Sequence, residues 1–122
     1  MPEIAYKAVN VVKGRYYSFL SNPMTPYFDL PNHNGAIIEY FANVPVRPDP
    51  ECGPLCTFLT AEIAYAFASE WGNKDFEIWE SIIRKSTEIK IWCRGTETSL
   101  GRCPAGTVLA DSVELKTRCF IG

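Results

Sequence analysis

Lys90, Trp92 and Arg94 carry the clearest chemical potential in the chain. In the run Thr87 to Cys93, alternation sends Thr87, Ile89, Ile91 and Cys93 one way and Glu88, Lys90, Trp92 and Arg94 the other. An indole flanked by two cations combines a stacking face with charge, the pattern that holds a flat anion. The last strand adds Glu114, Lys116 and Arg118 on one face, and Arg102 lies in the loop before it. Seven of the 12 Lys and Arg residues fall after position 83, so the C-terminal third is mildly basic within an acidic chain. That asymmetry suits a small anion better than a long polynucleotide. Lys90, Trp92, Arg94, Arg102, Lys116 and Arg118 are therefore the expected ligand-binding residues. The competing reading is an amphipathic strand with solvated cations and a Trp92 packed under a loop.

Glu80 is the one carboxylate in an unusual place. It shares a strand row with Phe76, Ile78 and Ile82, and a carboxylate on a core-facing row is costly unless paired or protonated. It either reaches solvent or an arginine at the strand end, or serves as a site carboxylate with a raised pKa. His33, the single histidine, lies between two asparagines in a proline-rich loop and has no evident partner. Gly95 and Gly101 are too far apart to cradle a phosphate. No nucleophile elbow or helical zinc motif occurs. No catalytic residue and no cofactor is expected, with Glu80 as the alternative.

Five cysteines, Cys52, Cys56, Cys93, Cys103 and Cys119, make an odd count, and no secretion signal precedes them. Reduced, mostly buried thiols are expected rather than a disulfide framework. The metal alternative is Cys52 and Cys56 in C-G-P-L-C, with Cys93, Cys103 or His33 completing a zinc site.

The elements that must position these residues are mostly strands. Ile4 to Val12, a Lys13-Gly14 turn and Arg15 to Leu20 read as a hairpin. Asn22 to Gly35 is a loop with three prolines, Ala36 to Ala42 a third strand, and Val44 to Pro54 a proline-rich loop without regular structure. Leu55 to Leu59 is a strand leading to Thr60, the expected N-cap of a helix over about 60–71. Glu62 sits in its first turn, where the helix dipole favours it. Ile63, Ala64, Phe67, Ala68 and Trp71 form its apolar face, and Gly72 is its expected C-cap. Phe76 to Ile83 and Thr87 to Cys93 are strands, Arg94 to Gly106 a loop, and Thr107 to Phe120 a final strand bent near Asp111-Ser112. The expected fold is a single α+β domain over 1–122: a mainly antiparallel sheet of about six strands with one main helix packed on it.

The 122 residues supply one core, and 47% apolar with 21% charged residues describes a globular chain. A net charge of -2 argues against a general phosphate-backbone binder. No apolar run approaches the roughly 18 residues of a membrane span. The N-terminus lacks the layout of a signal peptide, so a cytoplasmic protein is expected.

Residues 54 to 83 resemble the middle of the ADP-ribosyltransferase core. There a strand enters a helix with small residues and then a strand ending in Ile-Trp/Tyr-Glu. The corresponding residues here are Thr57-Phe58-Leu59-Thr60, then Ala64, Phe67 and Ala68, then Ile78-Trp79-Glu80. Ala5 to Val9 is similar in place to that family's first strand. The family's first-strand arginine or histidine would fall near Lys7, and no late Glu-x-Glu pair occurs. The resemblance implies an NAD-using enzyme with Glu80 as its carboxylate and Tyr6, Tyr16 or Tyr17 stacking on nicotinamide. In style the whole chain is similar to compact single-domain phage proteins, many of which block host defence by binding an effector or soaking up a nucleotide signal. The leading expectation is a non-catalytic binding protein that sequesters a small anionic, nucleotide-like ligand or inhibits a host protein. It would be able to form homo-oligomers and would act in the host cytoplasm. The alternatives are the NAD-using enzyme and a purely structural subunit.

Overall fold

A computed structural model describes residues 2–18, 38–48, 52–71, 75–93, 96–99 and 103–120. Ten strands and one helix are described, in the order β1 (Pro2–Val12), β2 (Arg15–Ser18), β3 (Glu39–Tyr40), β4 (Pro45–Val46), β5 (Cys52–Gly53), β6 (Leu55–Phe58), α1 (Ala61–Trp71), β7 (Phe76–Lys85), β8 (Lys90–Cys93), β9 (Thr96–Ser99) and β10 (Thr107–Cys119). The architecture is the expected α+β one, antiparallel with one helix, but with more strands than six. The extra strands are short. β4 and β5 lie within the proline-rich stretch read as irregular, and β9 within the loop expected from Arg94 to Gly106. Two-residue strands leave no periodicity to read; a neighbouring strand creates them.

The N-terminal hairpin forms as expected. Val12 pairs with Arg15, and Lys13 (φ 52°) and Gly14 (φ 77°) both take the positive φ of a type I′ turn. β1 pairs with β7 along one edge, from Pro2↔Arg84 to Asn10↔Phe76. Its other edge carries β2 and, through Tyr6↔Phe58, β6. β10 also pairs with β7 on one edge and with β6 and β4 on the other. The cycle β1–β7–β10–β6–β1 therefore closes, and four strands of the larger sheet form a ring with an inside and an outside. The register of β10 against β7 shifts between Ala110 and Ser112 and again between Leu115 and Thr117. Bulges of this kind bend a strand enough to close a small ring. The first lies at the bend expected near Asp111-Ser112.

Closure gives β7 two buried faces. Ala5, Val9, Leu55, Trp79, Ile83, Ala110, Val113 and Leu115 fill the inside, and Tyr40 packs with them. Outside, Ala8, Phe58 and Ile78 meet Ala64, Phe67 and Ala68 of α1. The row expected to face the core, Phe76, Ile78 and Ile82, is thus the outer one, where Ile78 is buried under α1, while Ser81 and Ile83 of the inner row are buried almost completely. Ile63 packs on the outer cluster as expected. Ile82 lies beyond the helix, beside Pro45, Arg47 and Arg84. The side chain of Trp71 and the C-cap position Gly72 lie outside the described residues. A second sheet of β5, β8 and β9 covers another part of the outer face, where Ile91 packs against Cys56 and Leu109.

Thr60 caps α1: its Oγ1 accepts the Ile63 N–H at 3.1 Å. Thr60→Ala should cost about 1 kcal/mol in denaturant unfolding, and Thr60→Ser should restore most of it. An unchanged midpoint for both would show that the cap adds nothing here.

Candidate ligand cleft

Where the start of β7 and the end of β10 meet the exposed side of α1, Tyr65, Phe76, Glu77, Ile78, Arg118, Cys119 and Phe120 line a cleft of about 220 Å³. The cleft exists because α1 packs through Ala64, Phe67 and Ala68, which leaves Tyr65 pointing outward over Phe76. The two rings meet edge to face at 5.6 Å. Phe120 follows the last residue of β10 and lies two positions after Arg118. The guanidinium lies 4.4 Å from the Phe120 ring centre, and that ring is 80% exposed. Arg118 Nη1 is 3.5 Å from Glu77 Oε2, and Glu77 Oε1 accepts the Trp79 indole N–H at 3.0 Å. Glu77 thus fixes the guanidinium over the aromatic ring, while a fork of five N–H donors leaves others free for an anion.

A second polar group lies inside the ring. Lys7 is only 5% exposed, and its Nζ donates to the Cys56 carbonyl at 2.8 Å. The ammonium lies 5.4 Å from the Tyr40 ring centre. Burial lowers the pKa of Lys7 to about 8, and the nearby Cys56 opposes that fall. The Tyr40 hydroxyl is buried with no hydrogen-bond partner among the described residues, and burial raises its pKa well above the ordinary value. Thr57 and Ser81 are satisfied within the ring by the carbonyls of Val108 and Trp79. On the outer face, the Tyr6 hydroxyl donates to Glu80 Oε2 at 3.2 Å, which raises the Tyr6 pKa.

No family model, curated protein or solved structure matches this chain. Its function must then be read from its sites.

The expected ligand residues fall into separate groups. Lys90 and Trp92 share a face of β8, but Trp92 is half-buried. Its ring lies across Gly53, where a Cβ would sit 3.3 Å from Trp92 Cζ2, with Pro48 beside it. Trp92 is therefore a packing residue more than an open platform. Ile91 packs beside Leu109, and Arg118 lies nine residues further along β10, roughly 30 Å of strand. One ligand of nucleotide size cannot span both. Lys116 sits at the second bulge and pairs with Glu114 at 3.1 Å, and it does not line the cleft. Ile89, expected on the buried side of its strand, is 74% exposed because β8 begins only at Lys90. Arg94, Arg102 and His33 lie outside the described residues. Of the metal alternative, Cys56 belongs to β6 and Cys52 to β5 of the other sheet, where its backbone pairs with Cys93. Among the described residues no three His, Cys, Asp or Glu side chains converge as metal ligands. No described helix is long and apolar enough to cross a membrane.

Sequence reasoning picked out Arg118 but missed Tyr65, Phe76, Glu77 and Phe120 beside it. The strand expected to run on to Phe120 did carry a signal, since alternation along it would put Arg118 and Phe120 together. Nothing local indicated that Tyr65 would join them.

Proposed function

We propose that the protein is a non-catalytic binder of a small, flat anion of nucleotide type, held in the Arg118–Phe120 cleft. The observation that supports this reading is the Arg118 guanidinium set over an exposed Phe120 ring beside Tyr65 and Phe76. A base stacks on the aromatic surface, and a phosphate takes the remaining N–H donors of Arg118. A cleft of about 220 Å³ suits one ring rather than a dinucleotide. In this role the protein acts as a sink for a nucleotide signal, in the manner of a phage anti-defence protein. Calorimetry against linear and cyclic nucleotides tests it. Phe120→Ala and Arg118→Ala should each weaken binding about tenfold or more, from roughly 1–3 kcal/mol of stacking and about 1.5–3 kcal/mol of charge-assisted hydrogen bonding. Absence of heat with every nucleotide would remove the reading, and a single host protein captured in its place would favour the inhibitor alternative.

The hydrogen bond between Tyr6 and Glu80 supports a second reading, the NAD-using enzyme, since it joins that reading's carboxylate to one of its three candidate tyrosines. Including NAD in the same panel decides it: nicotinamide release that Glu80→Gln abolishes would favour the enzyme.

A further inference from the structure

Cys56 and Cys103 lie together on the outer face of the ring. Cys56 is buried on β6 in a cluster with Ile91 and Leu109, and the half-buried Cys103 packs on that same cluster. Neither is in a disulfide. The turn that follows Cys103 is held in place. Thr107 donates to the Pro104 carbonyl through its N–H at 3.1 Å and its Oγ1 at 2.7 Å. Leu59 N–H donates to the Gly106 carbonyl at 2.9 Å. Gly106, at φ +90°, lets the chain pass so close to α1 that a Cβ there would lie 2.6 Å from Ile63 Cδ1. The fold therefore sets Cys103 on the same cluster as Cys56.

We propose that Cys56 and Cys103 are a dithiol site that exchanges with low-molecular-weight disulfides, Cys103 attacking and Cys56 resolving. Exposure assigns the roles: a reagent can reach Cys103 but not Cys56. Electrostatics agree. The Cys56 thiol donates a hydrogen bond to the Cys103 sulfur, which favours the Cys103 thiolate and lowers its pKa. The same hydrogen bond, with burial, pushes Cys56 well above its ordinary value, and the positive charge of Lys7 opposes that rise. An accessible thiolate is the nucleophile of thiol–disulfide exchange.

In the first step the Cys103 thiolate attacks one sulfur of R–S–S–R, forming Cys103–S–S–R and releasing RS⁻. Cys56 then loses its proton to solvent, and its thiolate attacks the Cys103 sulfur. The Cys56–Cys103 bond forms, and the second RS⁻ leaves. Two protein thiols are oxidised by two electrons, and the small disulfide is reduced to two thiols.

The test is a time course of the full chain with glutathione disulfide, quenched by acid and alkylation and read by peptide mass mapping. Glutathione should appear first on Cys103 and give way to a Cys56–Cys103 cross-link. Cys56→Ser should trap glutathione on Cys103, and Cys103→Ser should slow modification of Cys56 at least about tenfold. The proposal is overturned if Cys56 reacts before Cys103, or if wild type keeps glutathione on Cys103. A cross-link joining Cys52 and Cys93, whose backbones are paired, overturns it as well. Should either variant fail to fold, the wild-type order of events decides alone.

Discussion

Phe67→Ala should destabilise the protein by about 3–5 kcal/mol, the range for removing a buried aromatic ring. Phe67 is 7% exposed, and its ring centre lies 4.9 Å from that of Phe58. Around the pair are Ala8, Ala64, Ala68 and Ile78. Three of these four are alanines, which have no side chain long enough to swing into the vacated space, so the cavity stays open. The consequence is not local. Phe58 also carries the Tyr6↔Phe58 bridge that closes the ring. Urea unfolding should show a lower midpoint with an unchanged slope. A loss below about 1 kcal/mol would mean that α1 does not hold the outer face.

Lys7→Met should raise stability at neutral pH and remove a distinct pH dependence. The folded-state pKa of Lys7 is lowered from 10.5 to about 8 by burial, so the unfolded chain binds the proton more tightly. The penalty is complete below pH 8 and fades as pH rises toward 10.5; stability therefore increases with pH across that window. A shift of this size corresponds to about 3 kcal/mol. Methionine fills similar volume without a charge, but it leaves the Cys56 carbonyl without the Lys7 donor, which costs about 1–3 kcal/mol. The net gain at pH 7 is expected near 0–2 kcal/mol. Tyr40 and Cys56 face Lys7 and act oppositely: their raised folded pKa values mean that stability is lost as pH climbs past their ordinary values. Both remain in the variant, so the difference between the two stability curves reports Lys7 together with its electrostatic effect on Cys56. That difference should shrink or reverse between pH 8 and 10.5. A constant difference across the window would rule out a buried cation at this position.

The row Ala5-Lys7-Val9 was visible as an alternation with a lysine in it. What made Lys7 unusual was not visible, because strand alternation gives two faces without saying which is covered. Here both are covered. A sheet that closes on itself has an inside, and its outside can still be packed by a helix and a second sheet. The same fact left β7 half read: Phe76 and Ile78 do pack in a core with α1, but the opposite row of Trp79, Ser81 and Ile83 is buried as well, inside the ring. Trp92 illustrates the complementary failure. Its cationic neighbours suggested an open platform, yet Gly53 and Pro48, roughly forty positions earlier, supply the surface on which it rests.

Local chemistry sufficed for the turn at Lys13-Gly14, the Thr60 cap, the apolar face of α1, the long strands and the bend at Asp111, and so for the α+β class. Each of these is set by interactions within a few residues, through φ preference, hydrogen bonds to nearby N–H groups or periodic burial. The closure of the ring, the short strands β4, β5 and β9, the burial of Lys7, the meeting of Cys56 with Cys103 and the assembly of Tyr65, Phe76, Arg118 and Phe120 were decided by tertiary structure alone. Every one of them depends on contacts between segments distant in sequence, and no local preference encodes which distant partner a strand or side chain will meet.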